Sequence, residues 1–125
     1  VMMGTLLHDV GDLIRSSATT AAEDERDPAR VVLWPEVIEQ LLAGFLREAG
    51  SGLTDAERSH LIFAGILLTY EQGVRFLTDY LEGDRYYRVT RPAQNIERVR
   101  AQFRLVECLE EARSTLERRV KAIGA

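Results

Sequence analysis

The chain is short of lysine, cysteine, proline and long apolar runs, and each shortage removes a class of function. Of its 16 basic residues only Lys121 is a lysine, and no Gly-rich phosphate loop accompanies it. Nucleotide sites of the common kinase and P-loop classes place a lysine on the phosphates beside such a loop, so this chain carries neither part. The densest glycine cluster, Gly50-Ser51-Gly52, runs into Leu53-Thr54-Asp55-Ala56-Glu57, the pattern of a helix stop and restart. One cysteine, Cys108, excludes an internal disulfide, and without neighbouring ligands it gives no zinc site. Its apolar helical setting predicts a buried structural thiol. No apolar stretch reaches the roughly 18 residues of a membrane span, and no signal-like start is present, so a cytoplasmic chain without membrane contact is expected. A net charge of -4 argues against nucleic acid as a partner. No Ser-His-Asp or Cys-His arrangement supports nucleophilic catalysis.

What is present is helical periodicity. With 125 residues, 46% of them hydrophobic, the chain spans about one domain, 1–125, and can bury a core. Leu6, Leu7, Val10, Leu13 and Ile14 share one side of a helix over about residues 5 to 16. A polar, acidic loop continues from there as far as Trp34, with Val31-Val32-Leu33 able to pair locally. Pro35 suits a first helical position, and Val37, Ile38, Leu41, Leu42, Phe45 and Leu46 repeat at three and four until the glycines at 50 and 52. Thr54-Asp55-Ala56-Glu57 is a capping box, predicting a long helix from that point. Leu61 to Leu68 is apolar all round and reads as the buried central helix, continuing through Val74, Phe76, Leu77, Tyr80 and Leu81 to a stop at Gly83. From Ile96 to Val120 a further stripe predicts a final helix of about 25 residues, some 40 Å long. The expected fold is all-α, with about four helices, the central and final ones long.

Several groups of residues could carry chemistry. His8, Asp9 and Asp12 could serve as acid, base or metal ligands, but carboxylates near a helix start also act as caps, which is the favoured reading. The acidic run Glu23 to Asp27 reads as a solvated turn. Arg75 lies one turn from both Glu71 and Asp79, which favours an i,i+4 ion-pair ladder over a ligand contact. Tyr86 and Tyr87 could line a pocket or cover the edge of the core. His60 reads as a satisfied residue of the central helix.

Four stretches carry a resemblance: Val1 through Asp12 with its His8-Asp9-Val10-Gly11-Asp12 run, Thr19 to Asp27, Gly73-Val74-Arg75-Phe76-Leu77-Thr78-Asp79-Tyr80-Leu81-Glu82-Gly83-Asp84, and Asn95 to Phe103. In this order they resemble the C-terminal part of the N-acetylhexosamine 1-kinases, within the aminoglycoside phosphotransferase and choline kinase-like superfamily. The resemblance implies a fragment, the helical C-terminal subdomain of a protein-kinase-like fold, whose parent uses ATP and magnesium to phosphorylate a sugar at its anomeric hydroxyl. It implies sugar contacts from Arg75 and Tyr86, and it makes Asp9 a buried brace beneath the catalytic loop. No catalytic residue, metal ligand or cofactor is expected in this chain, which should not catalyse alone. Val10 stands where relatives usually have Phe, and Ser16 where the N-acetylhexosamine kinases carry an aromatic residue near the sugar, so the expected ligand is a hexose or an N-acetylhexosamine. Helices made to cover a catalytic core should leave apolar surface exposed, and self-association is expected. The alternative expectation is a self-standing helical interaction module, with the final helix as its partner surface.

Overall fold

A computed structural model describes residues 3–49 and 52–123. Among these residues the regular structure is helical. Helix α1 spans Met3–Ser17, α2 Pro35–Ala49, α3 Asp55–Ser59, α4 Leu61–Leu81 and α5 Gln94–Ala122, with a 3₁₀ turn at Pro28–Arg30. The expected local pairing of the Val31 to Leu33 run is a single antiparallel bridge between Leu33 and Thr19. Pro35 opens α2 as its spacing predicts. Gly50, expected to end that helix together with Gly52, lies outside the described residues.

The capping box forms in both directions: Thr54 Oγ1 accepts from the Glu57 N–H at 3.1 Å, and Glu57 Oε1 accepts from the Thr54 N–H at 2.8 Å. The helix it starts is short, however, in place of the long one expected. Residues Asp55 to Ser59 bury nothing, whereas α4 begins with Leu61 and Ile62 fully buried. A break at His60 lets α4 turn its apolar start onto the core while the charged box stays in solvent. His60, expected inside the central helix, is therefore exposed at the junction, its Nδ1 2.6 Å from the Ala56 carbonyl oxygen.

Helix α4 is the centre of the molecule. It packs most extensively against α5 on one side and α1 on another, and α2 closes the core against α5 and α1. Val10 and Ile14 of α1, Leu61, Ile62 and Ile66 of α4, and Leu105, Leu109 and Leu116 of α5 are buried, with Ile38 and Leu42 of α2. Cys108 is buried as expected, and burial pushes its thiol above the ordinary range.

Two glycines set the distance between α1 and α4. A Cβ on Gly11 would lie 2.5 Å from the Ala64 carbonyl oxygen, and one on Gly65 would lie 2.7 Å from Ile14 Cγ2. The helices meet backbone to backbone at Gly11 and backbone to side chain at Gly65, with no space for a methyl group, so each glycine exchanges helix propensity for close packing. Gly44 on α2 has no such neighbour, its nearest atom being Arg47 Nη2 at 3.5 Å. Gly11→Ala is expected to destabilise the fold by about 1–3 kcal/mol, because a carbonyl oxygen cannot step aside. Gly44→Ala should stabilise it by up to ~1 kcal/mol through helix propensity alone. Urea unfolding of the two variants checks this, and shifts of the same sign would refute the close-approach account.

Candidate substrate-binding site

The site is built at the C-terminal end of α4. The helix stops in a Schellman motif: the Gly83 N–H donates to the Tyr80 carbonyl at 3.2 Å and the Asp84 N–H to the Asp79 carbonyl at 2.8 Å. This geometry requires a positive φ, 93° at Gly83 and 60° at Asp84, which glycine and aspartate tolerate. The chain then doubles back over the helix end.

Asp79 fixes the returning loop. Its side chain lies on the inner face of α4, in phase with Gly73 and Phe76, and is only 4% exposed. A carboxylate there needs donors, and the loop supplies them. Asp79 Oδ1 accepts from the Tyr86 N–H at 2.6 Å, and Oδ2 accepts from the Tyr87 N–H at 3.0 Å and from Asn95 Nδ2 at 2.7 Å. Burial pushes the Asp79 carboxyl up, but the hydrogen bonds from Tyr86, Tyr87, Asn95 and the Arg85 N–H outweigh it and hold the carboxyl below its ordinary value. Asn95 also donates to Asp84 Oδ1 at 3.0 Å and accepts from Arg98 Nη1 at 2.8 Å. Arg98 in turn donates to the Arg88 carbonyl at 3.1 Å and sits over the Phe76 ring, 5.4 Å from its centroid.

The two tyrosines differ in their surroundings. Tyr87 covers the core edge: its ring lies 4.8 Å from that of Phe76, and its hydroxyl accepts from Gln72 Nε2 at 3.2 Å. Tyr86 stands edge-on to Tyr87 and is 82% exposed, presented to solvent by a loop whose backbone is held at Asp79. Arg75 is exposed one turn before Asp79 and pairs with Glu71 at 3.4 Å. The expected ladder is therefore half formed, because Asp79 turns inward to the loop amides. Arg75 and Tyr86 are not hydrogen-bonded to each other.

The acidic run is more constrained than a solvated turn. Asp24 Oδ2 accepts from Gln94 Nε2 at 3.0 Å and from Arg91 Nη2 at 3.3 Å, and the Gln94 hydrogen bond leads in holding its carboxyl below the ordinary value. Arg91 also pairs with Glu97 at 2.6 Å, and Glu23 pairs with Arg15 at 3.0 Å, so the loop is tied to the start of α5 and to α1. Asp27 caps the 3₁₀ turn through the Ala29 N–H at 3.0 Å. On α1, His8 and Asp9 are exposed, while Asp12 pairs with Arg15 at 3.0 Å. Ser16 donates back to the Asp12 and Leu13 carbonyls and lines a small hollow of about 160 Å³ with Arg15, Thr19 and Gln102. A wider groove of about 630 Å³ runs between α3 and the end of α5, past Arg58, Ile62 and Val120. Neither concavity includes Arg75 or Tyr86.

No helix among the described residues is long and apolar enough to cross a membrane. No protein-family model matches the chain.

The depressed Asp79 carboxyl links the site to pH. A group whose folded pKa lies below its unfolded value stabilises the fold above the unfolded value, and that contribution is lost as pH falls through the folded pKa. For Asp79 the loss begins below its ordinary value of 3.8. Asp79→Asn is expected to be less stable than the parent at neutral pH, to expose the Tyr86 and Tyr87 amides to faster hydrogen exchange, and to lose part of its deficit as pH falls below that ordinary value. A stability difference that stays constant from neutral pH to about pH 3 would refute this role.

Proposed function

We propose that this chain is the sugar-binding helical portion of an ATP-dependent sugar 1-phosphotransferase similar to the N-acetylhexosamine 1-kinases, with the helical C-terminal subdomain of a protein-kinase-like fold. The carrying observation is an exposed phenol, Tyr86, on a loop locked by a buried carboxylate one turn beyond an exposed guanidinium, Arg75. Both groups suit a sugar: the guanidinium fork donates to hydroxyl and acetamido oxygens, and the phenol can donate or accept. The Glu71 pair holding Arg75 is exposed and worth only tenths of a kcal/mol, so a ligand can displace it at little cost.

ATP and magnesium belong to the reaction of such an enzyme, but these residues do not fit them. Among the described residues no three of His, Cys, Asp and Glu are placed to hold a metal ion, and Lys121 is exposed near the end of α5. The chain's share in the reaction is to orient the sugar, which matters because phosphoryl transfer depends on positioning and charge stabilisation. The brace role for Asp9 needs a covering surface from elsewhere in the enzyme, since Asp9 is exposed on α1. A second reading, a helical interaction module, draws its support from α4, whose outer apolar side chains are partly exposed, more than from α5, whose apolar stripe faces the core.

In an intact enzyme carrying this chain, Arg75→Ala is expected to lower sugar kcat/KM about a hundredfold, the ~3 kcal/mol of a lost charged hydrogen bond. The melting temperature should barely change, because only the exposed pair with Glu71 is lost. Steady-state kinetics with hexose and N-acetylhexosamine measure the first, and a thermal melt the second. Normal sugar kinetics would remove Arg75 from the site. The purified 125-residue chain with ATP, magnesium and sugar is expected to yield no sugar 1-phosphate; turnover would refute the proposal.

A further inference from the structure

The small hollow beside Ser16 is open at one end and closed at the other. Ser16 and Glu23 at its mouth are exposed, while Val31, Leu105 and Gln102, which close it, are buried. Gln102 is 5% exposed, and its Oε1 has no hydrogen-bond partner. Among the described residues it is the one buried side-chain oxygen or nitrogen left in that state. A buried amide oxygen without a donor costs stability, and its presence calls for a donor from outside the chain.

A single water could supply that donor, but the hollow is larger than one water needs. A water takes about 30 Å³ in the liquid, and an apolar cavity of about 150 Å³ holds benzene. The hollow, at about 160 Å³, is therefore of the size for a ligand of about six non-hydrogen atoms. The groups around it say which kind. Arg15 pairs with Asp12 and with Glu23, both at 3.0 Å, so the rim carries no unpaired charge to select an ion. Ser16 Oγ gives its proton to the Asp12 and Leu13 carbonyls, which leaves it able only to accept. Thr19 Oγ1 accepts from the Ala21 N–H at 3.2 Å and keeps its own proton to donate. Together with the Gln102 oxygen, these residues offer acceptors and a donor beside the apolar surface of Val31 and Leu105.

We infer that this hollow binds a small neutral polyol, with one hydroxyl donating to Gln102 Oε1 and a second exchanging hydrogen bonds with Thr19 and Ser16. A hydroxyl donates and accepts at one atom, which suits this mixture of groups, and the carbon chain between hydroxyls suits the apolar wall. The hollow includes neither Arg75 nor Tyr86, so the inference does not rest on the proposed sugar contacts.

Glycerol fits the hollow in size and is the probe. Titrated into the isotope-labelled 125-residue chain, it is expected to shift the Gln102 side-chain amide and the Thr19 backbone amide in NMR spectra along one saturating curve in the millimolar range. Acetate and methylammonium should leave both signals unmoved. Gln102→Leu keeps a similar volume and removes the orphan oxygen, so it is expected to raise the melting temperature while weakening glycerol binding, read at Thr19, by about tenfold. Thr19→Val removes the donor from a residue at the hollow's edge and should weaken binding severalfold with unchanged circular dichroism. Shifts that grow linearly with glycerol and never saturate would mean that the hollow holds water only, and would overturn the inference. So would equal binding of acetate, undiminished glycerol binding by Gln102→Leu, or a lower melting temperature for that variant, which would show the oxygen already satisfied. Glycerol has no anomeric hydroxyl, so this outcome is separate from the sugar kinetics of Arg75→Ala.

Discussion

The run Leu61 to Leu68, apolar on every side of the first half of α4, is the constraint on which the rest of the molecule depends. Such a helix has to be covered, and each face of α4 meets a different solution. Toward α1 the cover is tight: Gly11 lies against the Ala64 carbonyl and Gly65 against Ile14, leaving no space for a methyl on either. Toward α5 the cover is broad, with Leu105 and Leu109 in the shared core. The third face is only partly covered: Tyr70 stacks on Phe103 of α5 and Phe63 lies under Arg113, while Leu67 and Leu81 stay exposed. The same residue composition thus produces the core and the most conspicuous feature of the surface.

Asp79 is the buried charge on this helix, and it organises the helix end. An isolated carboxylate at its depth would be costly, and only donors from the returning loop make it tolerable. The loop has few apolar anchors of its own, Tyr87 and Val89 being half-buried, so the interaction organises in both directions. The carboxylate needs the amides of Tyr86 and Tyr87, and those amides, just past a tight Schellman stop, need an acceptor. Asn95 extends the arrangement to α5 and Arg98 closes it over Phe76. The position of Tyr86 is therefore set by three elements at once, although its side chain is almost fully in solvent.

How much of this is legible in the sequence depends on whether the signal is periodic. The helices are legible because apolar residues recur at three and four, and Pro35 and Gly83 themselves mark the start of α2 and the stop of α4. The break at His60 is not, because the capping box and the apolar run read as one continuous helix. Only the contrast between an α3 that buries nothing and a fully buried start of α4 separates them. Arg75 and Tyr86 stand out by type and resemblance, but the residue that places Tyr86 does not. Its i,i+4 spacing to Arg75 is a strong local cue that makes Asp79 read as the outer rung of an ion ladder. A non-local cue points elsewhere: Asp79 falls three residues after Phe76 and six after Gly73, on the buried face. The polar clasp of Asp24 with Arg91 and Gln94 joins residues some 70 positions apart, and no local pattern announces it.

The two proposed sugar contacts differ in how firmly they are held, and the difference is physical rather than incidental. Tyr86 has its backbone fixed by a buried carboxylate, so little backbone ordering entropy remains to be lost on binding. Arg75 is held only by an exposed i,i+4 pair that solvent screens, so its long side chain can leave Glu71 at small cost.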